Sequence, residues 1–444
     1  MRVATIGAGY VGLVAGTCLS DAGNQVAIVD SSHARIKLLN SGRVPIYEPG
    51  LDEMIASNVK EGRLTFSTDL PSAVSQADVV ILAVGTPARP DGWVDMRAMD
   101  ASAKQVAKSL RNYTVIVNKS TVPVGTHKRI TQIVSSLTSV PFDYVANPEF
   151  LKEGHSINDF LSPDRVILGL TSDRALQIMK HLYAPFMRRN NRLLVMDPTS
   201  AELTKYACNT MLATRIAFMN DMSQLCERLG ADIELIRQGM GSDHRIGPDF
   251  LFPSLGFGGS CFPKDIKALM TMGKTCNHPM RIVEAVHLAN EEQRESMFKK
   301  VQLYFEGRLI NRKFAVWGLA FKARTDDVRE SPALTLIQRL VCSGARVAAH
   351  DPKAIEPARE FLGENGIEYC RDMYEALPGA SALIICTEWQ EYRTPDFNRI
   401  RSLLGGSVVF DGRNLYDLDW MRETGLTYVS VGRPVVNPRP ADKG

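Results

Sequence analysis

The sequence predicts an α/β protein: two Rossmann-like doubly wound parallel-sheet domains joined by a long central helix. Three observations carry this reading. The chain opens on apolar strand, glycine turn, helix and strand. Its last third repeats that grammar. The stretch between them lacks strand signals and holds one unusually long helical pattern. Apolar strands alternating with helices imply a parallel sheet covered on both faces.

In the first domain, residues 2–6 form a short apolar strand. The turn Gly7-Ala8-Gly9-Tyr10-Val11-Gly12 follows, then an Ala/Leu-rich helix to about Ala22. Residues 25–29 are the next strand, which ends in Asp30. Further buried-strand runs lie at 77–84, 113–118 and 142–146. Near the other end, 313–318 is a strand, 332–342 a helix, and 346–350 a strand ending in Asp351. SALIICT at 381–387 parallels DVVILAVGT at 78–86, and 407–411 parallels 113–118. In the middle, Ser200 is the expected N-cap of a helix that runs to about Arg228. A helix of that length between two α/β domains is expected to act as a spine and as a dimer contact. The expected division is 1–198, 199–302 and 303–432, with a Pro-rich tail at 433–444 that should be disordered.

Bulk properties remove several function classes. A net charge of +3 argues against a nucleic-acid surface, with 45% hydrophobic and 23% charged residues. No apolar run is long enough to span a bilayer, and the N-terminal strand leaves no room for a signal peptide. The eight cysteines (18, 208, 226, 261, 276, 342, 370, 386) form no C-x-x-C pair, so no metal site is expected. Cys18, Cys342 and Cys386 sit in apolar runs and should be reduced, buried thiols. This points to the cytoplasm.

The turn Gly7-x-Gly9-x-x-Gly12 follows a strand, opens a helix, and has an acid at the end of the next strand. Gly7 allows the tight turn, Gly9 lets backbone approach a pyrophosphate, and Gly12 lets helix and sheet pack closely. Tyr10 and Val11 begin the helix that faces the phosphates. Asp30 is placed for both ribose hydroxyls, which favours NAD over NADP. Arg35 fits adenosine contact or a solvated helix face equally well.

Gly256-Phe257-Gly258-Gly259-Ser260-Cys261-Phe262-Pro263-Lys264-Asp265 carries a cysteine after a glycine-rich loop and before a helix start. A helix N-terminus and Lys264 would both favour a thiolate nucleophile. From spacing alone, an inert thiol fits as well. Lys205 and Asn209 share one helix face. They could hold an oxyanion or simply be two surface polar residues. The loop 147–154 (Asn-Pro-Glu-Phe-Leu-Lys-Glu-Gly) follows a strand end, where α/β sheets bind ligands. Its carboxylates Glu149 and Glu153 could do acid–base work or be solvated. Thr86 in Val84-Gly85-Thr86-Pro87 and Thr121 in Lys119-Ser120-Thr121-Val122-Pro123 should line the same crevice. The second domain replaces the glycine fingerprint with Gly318-Leu319-Ala320-Phe321-Lys322 and adds Arg324 and Arg329. This fits an anionic nucleotide other than a second NAD, or an exposed basic loop.

Together these stretches resemble the UDP-glucose/GDP-mannose 6-dehydrogenase family over nearly the whole chain. The resemblance rests on GAGYVG, VGTP, KSTVPVGT, NPEFLKEG, AELTKYACN, GFGGSCFPKD and FKARTDDVRESP, in that order. It implies two successive NAD-dependent oxidations of a nucleotide-sugar C6 alcohol to the acid. UDP-glucose is the favoured small-molecule substrate, and the protein is expected to be a homodimer. Cys261 resembles the nucleophile, and Lys205 and Asn209 the oxyanion-stabilising groups. Asp265 resembles the carboxylate that helps remove the alcohol proton. Glu149 resembles the base for thioester hydrolysis, with Thr121 positioning the water. Thr86, Glu153, Lys264 and Arg329 resemble cofactor contacts. Phe150, Leu151, Phe250, Leu251, Ser254, Gly258, Lys322 and Arg413 resemble substrate contacts. Arg245 resembles an arginine that reaches substrate across a dimer.

Phe252-Pro253 stands where the family often has a more polar pair, so GDP-mannose and UDP-N-acetyl sugars are alternative substrates. A two-electron β-hydroxyacid dehydrogenase would need neither Cys261 nor a second nucleotide-binding domain. A non-catalytic sensor would not need the full catalytic set.

Overall fold

The computed structural model describes residues 1–187 and 192–437. The chain forms two compact units, Met1–Cys208 and Asn209–Gly444.

The first unit is built on eight strands: β1 (Arg2–Ile6), β2 (Gln25–Val29), β3 (Leu64–Ser67), β4 (Val79–Leu82), β5 (Thr114–Asn118), β6 (Phe142–Ala146), β7 (Val166–Gly169) and β8 (Leu193–Met196). Their order is β3-β2-β1-β4-β5-β6-β7-β8. Neighbours pair in parallel except β6 and β7, which meet antiparallel at Ala146 and Gly169. The strand order reverses beside β1. Thr5 pairs with Ile28 on one side and Ile81 on the other. That reversal opens a crevice beyond the carboxyl ends of β1 and β4.

Helices cover both faces, so β4 is buried at every residue, and its sequence is a continuous apolar run rather than an alternation. Leu13, Val14 and Leu19 of the helix Tyr10–Asp21 share one core with Ile28, Val79 and Val117. Met99, Val106 and Ile130 share the other with Val80, Leu82 and Ile116.

The second unit carries β9 (Lys313–Trp317), β10 (Arg346–His350), β11 (Ile367–Cys370), β12 (Ala382–Ile385), β13 (Val408–Asp411) and β14 (Thr427–Ser430). All are parallel, in the order β11-β10-β9-β12-β13-β14. This repeats the plan of the first six strands. β12, the SALIICT segment, occupies the place of β4. Before this sheet come the helices Ile233–Gly241, Phe262–Thr275 and Arg281–Tyr304.

The long helix spans Pro198–Leu229. Its cap is Asp197 rather than Ser200. Pro198 has no N–H to offer and suits the first helical position. The Asp197 carboxylate accepts from the Ser200 N–H (3.0 Å) and hydroxyl (2.5 Å).

Two further expectations need correction. Cys18 and Cys386 are buried, but Cys342 is exposed. It ends its helix, whose core face is formed by Leu336, Ile337 and Leu340. The expected tail from 433 starts as structured chain. Arg433 is buried, its guanidinium donates to the Tyr416 carbonyl and the Tyr428 hydroxyl, and Val436 pairs antiparallel with Tyr428. The rest of that expectation, residues 438–444, lies outside the described residues.

Candidate active site

The glycine turn in the first unit is fixed by contacts that exclude larger residues. Gly7 has φ +107°, and a Cβ there would lie 2.5 Å from the Ala83 carbonyl oxygen. On Gly12 it would lie 1.9 Å from the Gly7 oxygen, whereas on Gly9 it would meet nothing within 4 Å. Gly9 therefore leaves an open approach at the N-terminus of Tyr10–Asp21, as a bound pyrophosphate requires. Asp30 accepts from the Ala8 N–H (2.8 Å), the Ser32 N–H (2.9 Å) and Arg35 (3.0 Å). Burial pushes its carboxyl up, but these donors outweigh burial and hold it below the usual carboxylate range. Gly7, Gly9, Gly12 and an ionised Asp30 fit a dinucleotide.

Beyond β4 and β5, the Thr86 hydroxyl donates to the Thr121 carbonyl (2.8 Å) and ties two loops of the crevice together. After β6, Glu149 is buried. Its Oε1 accepts from Lys205 Nζ (2.8 Å), and its Oε2 from the Leu151 N–H (2.7 Å). Lys205 Nζ also reaches the Glu149 carbonyl at 2.7 Å. Burial alone would raise this carboxyl. The ion pair with Lys205, the Leu151 N–H and the charge of Lys119 bring it below its ordinary value. Phe150 lies under the Arg165 guanidinium, 3.7 Å from its ring centre. Glu153 is half-buried in the same loop.

In the second unit, Cys261 is the residue before the first turn of Phe262–Thr275, with Pro263 inside that turn. Its thiol is half-buried and 3.5 Å from the Ser260 hydroxyl. Asp265 is fully buried. It accepts from Asn209 Nδ2 at 2.6 Å and pairs with Lys264. One carboxylate, on the first turn of the helix that follows Cys261, thus orients both an amide and an ammonium.

The glycines before Cys261 lie against the loop after β9. A Cβ on Gly258 would be 2.3 Å from the Glu330 carbonyl oxygen, and the Gly259 N–H donates to the Arg329 carbonyl (2.9 Å). The Phe250–Ser254 stretch is held from below. The Ser254 N–H donates to Asn220 (2.7 Å), and Gln293 donates to the Ser254 carbonyl (2.6 Å). Phe250 adopts φ 60°. Leu251 is buried in a cluster with Met219, Cys226 and Ile233.

Lys322 is half-buried beside Phe321. Arg413 donates to the Cys386 (2.8 Å) and Phe321 (2.7 Å) carbonyls, bracing the strand-end loops of the second sheet. Arg329 and Arg245 are exposed and paired with Asp327 and Asp243. The acid at the end of β10 differs from Asp30. Asp351 is buried and occupied by Leu319, Ala320, Lys353, Ala354 and Trp389. It has no face left for a ribose.

Sequence reasoning missed several supports. Glu48 is buried and accepts from Tyr10, Gly154 (2.6 Å) and Ser156 (2.8 Å), joining the glycine turn to the Glu149 loop. A lone acid in a turn carries no sequence signal for this. Glu202 accepts from the Gly125 and His127 N–H groups, both at 2.7 Å, and caps the helix Thr126–Ser135. Asn290 clamps Phe257 through its N–H (2.8 Å) and carbonyl (3.1 Å). Here a signal existed. Asn290 and Gln293 fall on the buried stripe Val283, Val286, Met297, Val301 of their helix, where polar residues need partners. Among the described residues no cluster of three or more His, Cys, Asp or Glu could hold a metal. None of their helices is long and apolar enough to cross a membrane.

Known proteins match this arrangement from end to end. Three models of the UDP-glucose/GDP-mannose dehydrogenase family match in succession: the NAD binding domain over residues 1–187, the central domain over 199–292 and the UDP binding domain over 315–418. UDP-glucose 6-dehydrogenase TuaD of Bacillus subtilis is 44% identical over 100% of this chain and 95% of its own length. UDP-glucose 6-dehydrogenase of Rhizobium meliloti is 43% identical over 98% of this chain and 100% of its own. The solved UDP-glucose dehydrogenase from Pyrobaculum islandicum superposes with a TM-score of 0.87 at 38% identity, covering 93% of this chain and 94% of that one. The glycine turn falls in the first matched domain, the cysteine helix in the second and strands β10 to β13 in the third, and the chain belongs to the UDP-glucose/GDP-mannose dehydrogenase family.

Proposed function

We propose that the chain oxidises the C6 alcohol of UDP-glucose to the carboxylic acid, consuming two NAD+ and one water per turnover. The carrying observation is Cys261, presented before the first turn of its helix beside Lys264 and the buried Asn209–Asp265 pair. A nucleophilic thiol is what a four-electron oxidation needs and a two-electron one does not. The full-length relatives named UDP-glucose 6-dehydrogenase support the sugar and base.

When bound, NAD+ supplies the hydride acceptor for both oxidations. The chain's residues do the rest. Gly7, Gly9 and Gly12 hold the pyrophosphate, and Asp30 the adenosine ribose, with Arg35, Tyr10, Val11, Thr86, Thr121, Glu153, Lys264 and Arg329 completing the cofactor contacts. Asp265, with Lys205 and a water, takes the O6 proton as the alcohol becomes an aldehyde. The Cys261 thiolate adds to that aldehyde, forming a C–S bond and an oxyanion that Lys205 and Asn209 stabilise. Loss of the second hydride leaves a thioester. Glu149 deprotonates a water positioned by Thr121. The water oxygen adds to the thioester carbon, the C–S bond breaks, the acid leaves and the thiolate returns. The covalent adduct keeps the aldehyde from escaping between the two oxidations. Phe150, Leu151, Phe250, Leu251, Ser254, Gly258, Lys322 and Arg413 form the substrate contacts.

We also read the protein as a cytoplasmic homodimer. Met211, Phe218, Leu225 and Leu229 form an exposed apolar stripe on the long helix, as an interface between copies requires. Arg245 is exposed and paired with Asp243 of its own loop, a pairing it would exchange for a neighbouring site. None of the eight cysteines is in a disulfide, which suits a reducing compartment. The test is NADH formed per sugar consumed over a panel of nucleotide sugars. Two per UDP-glucose is expected. A ratio of one, or preference for GDP-mannose or a UDP-N-acetyl sugar, would overturn the reading.

A further inference from the structure

Lys119 follows β5 and is buried. Its Nζ donates to Asn147 Oδ1 (3.1 Å) and contacts the Tyr183 hydroxyl (3.2 Å), while Tyr183 donates to the same Asn147 oxygen (2.6 Å). Phe160 and Tyr183 present ring faces 5.6 and 5.8 Å from the ammonium. Both polar partners are neutral, so no carboxylate compensates the charge directly. Neutral acceptors and ring faces offset only part of the cost of burying an ammonium. Where such a charge only fills space, an apolar residue of similar volume does as well or better. Lys119, Asn147, Tyr183 and Glu149 line one cavity of about 170 Å³, and Asn147 lies two residues before Glu149 in the loop after β6. Asn147 is itself pinned. Its N–H donates to the Asn118 carbonyl (2.9 Å) and its Nδ2 to the Ile167 carbonyl (2.8 Å).

We propose that Lys119 is a positioning residue for the reaction: through Asn147 and Tyr183 it fixes the loop that carries Glu149, and it supplies a second positive charge in the cavity that this carboxylate lines. The proposal rests on the reading of Glu149 as the hydrolytic base. Lys205 on the long helix is the first charge facing Glu149. Arg165, Lys152, Asp159 and Asp164 line the same cavity and complete its charged surroundings. Lys119 is among the groups that lower the Glu149 carboxyl, in line with the geometry.

The test removes the charge without removing the stem. Lys119→Met does this, and Lys119→Gln also keeps N–H donors for Asn147 and Tyr183 should the methionine variant not fold. Lys119→Arg keeps the charge. Glu149 ionisation is followed in the full-length protein by ¹³C NMR of labelled glutamate, with Glu149→Gln assigning the signal. In Lys119→Met and Lys119→Gln the half-ionisation pH should rise by about half a unit or more. The acid limb of kcat should rise with it, and Lys119→Arg should keep the wild-type values. An unchanged Glu149 titration in a folded, uncharged variant would overturn the proposal and leave Lys119 a packing residue. The wild-type NADH ratio separates the two readings. A ratio of two with an unshifted titration removes the role of Lys119, whereas a ratio of one with a shifted titration removes the hydrolytic role of Glu149.

Discussion

Lys205 Nζ lies 2.8 Å from Glu149 Oε1 and 2.7 Å from the carbonyl oxygen of the same residue. The proposed oxyanion donor and the proposed hydrolytic base are thus one buried ion pair. Lys205→Ala should lower kcat by about 10²–10³ with little change in KM, because an oxyanion donor acts mainly in the transition state. It should also cost about 3–5 kcal/mol of stability, since it leaves a buried carboxylate without its main partner. Denaturant melts and steady-state kinetics check both. A change in KM alone would make Lys205 a binding residue.

The same pair sets a pH dependence. The folded Glu149 carboxyl sits below its ordinary value of 4.5. Its contribution to stability is therefore fully present above that value and is lost as pH falls through the lower folded one. Wild-type activity limited by Glu149 should fall off only below pH ~4.5. In Lys205→Ala the acid-side loss of stability should shrink or reverse, because burial then raises the Glu149 carboxyl that Lys205 had held down. Thermal melts of both proteins between pH 3 and 7 would show it, and coincident curves would contradict the assignment.

The two glycines at the helix start should respond differently. Gly9→Ala meets open space, so the fold should persist while NAD+ affinity falls, because the methyl occupies the pyrophosphate approach. Gly12→Ala places a methyl on the Gly7 carbonyl, and backbone cannot yield as a side chain can. It should lose stability as well as cofactor binding. Calorimetric NAD+ titration beside thermal melts separates the outcomes.

Asp30 and Arg35 form a switchable pair at 3.0 Å. Wild type should strongly prefer NAD+, since an ionised Asp30 repels a 2′-phosphate. Asp30→Ala removes that repulsion and frees the guanidinium, so kcat/KM for NADP+ should rise relative to NAD+. Equal kcat/KM for the two cofactors in wild type would refute this role for Asp30.

A charge in the middle of the exposed stripe tests the assembly. Phe218→Glu should shift the protein to monomer in sedimentation velocity. If Arg245 serves a neighbouring site, activity should fall with dimer content. A fully active monomer would contradict that use of Arg245.

Cys261→Ser keeps size and polarity but gives a much poorer nucleophile at neutral pH. Turnover should nearly vanish while NAD+ and UDP-glucose still bind, and residual product should stay as a slowly released ester or as aldehyde. Iodoacetamide should inactivate wild type, with substrate slowing the loss. Steady-state NADH production within a few-fold of wild type would remove the covalent mechanism.

The sequence alone determined the two-sheet architecture, the glycine turn, Asp30 and the cysteine loop. Each of these is a local demand. A turn that admits only glycine, an acid at a strand end and a proline inside a first helical turn leave fixed spacings, and buried strands leave unbroken apolar runs. Five strands went unread: β3, β8 and β11 sit at sheet edges, where burial is partial and the pattern weak, and β7 and β14 are largely buried but only four residues long, too short for periodicity to mark. Only the tertiary structure decided which polar residues act together. Lys205 meets Glu149 across more than fifty residues, and Glu48 reaches Gly154 and Ser156 across more than a hundred. Cys342 turned outward and Arg433 inward against their sequence neighbourhoods. A buried carboxylate or ammonium is tolerated only where folding brings donors, acceptors or an opposite charge to it, and those partners come from helices and loops far apart in the chain.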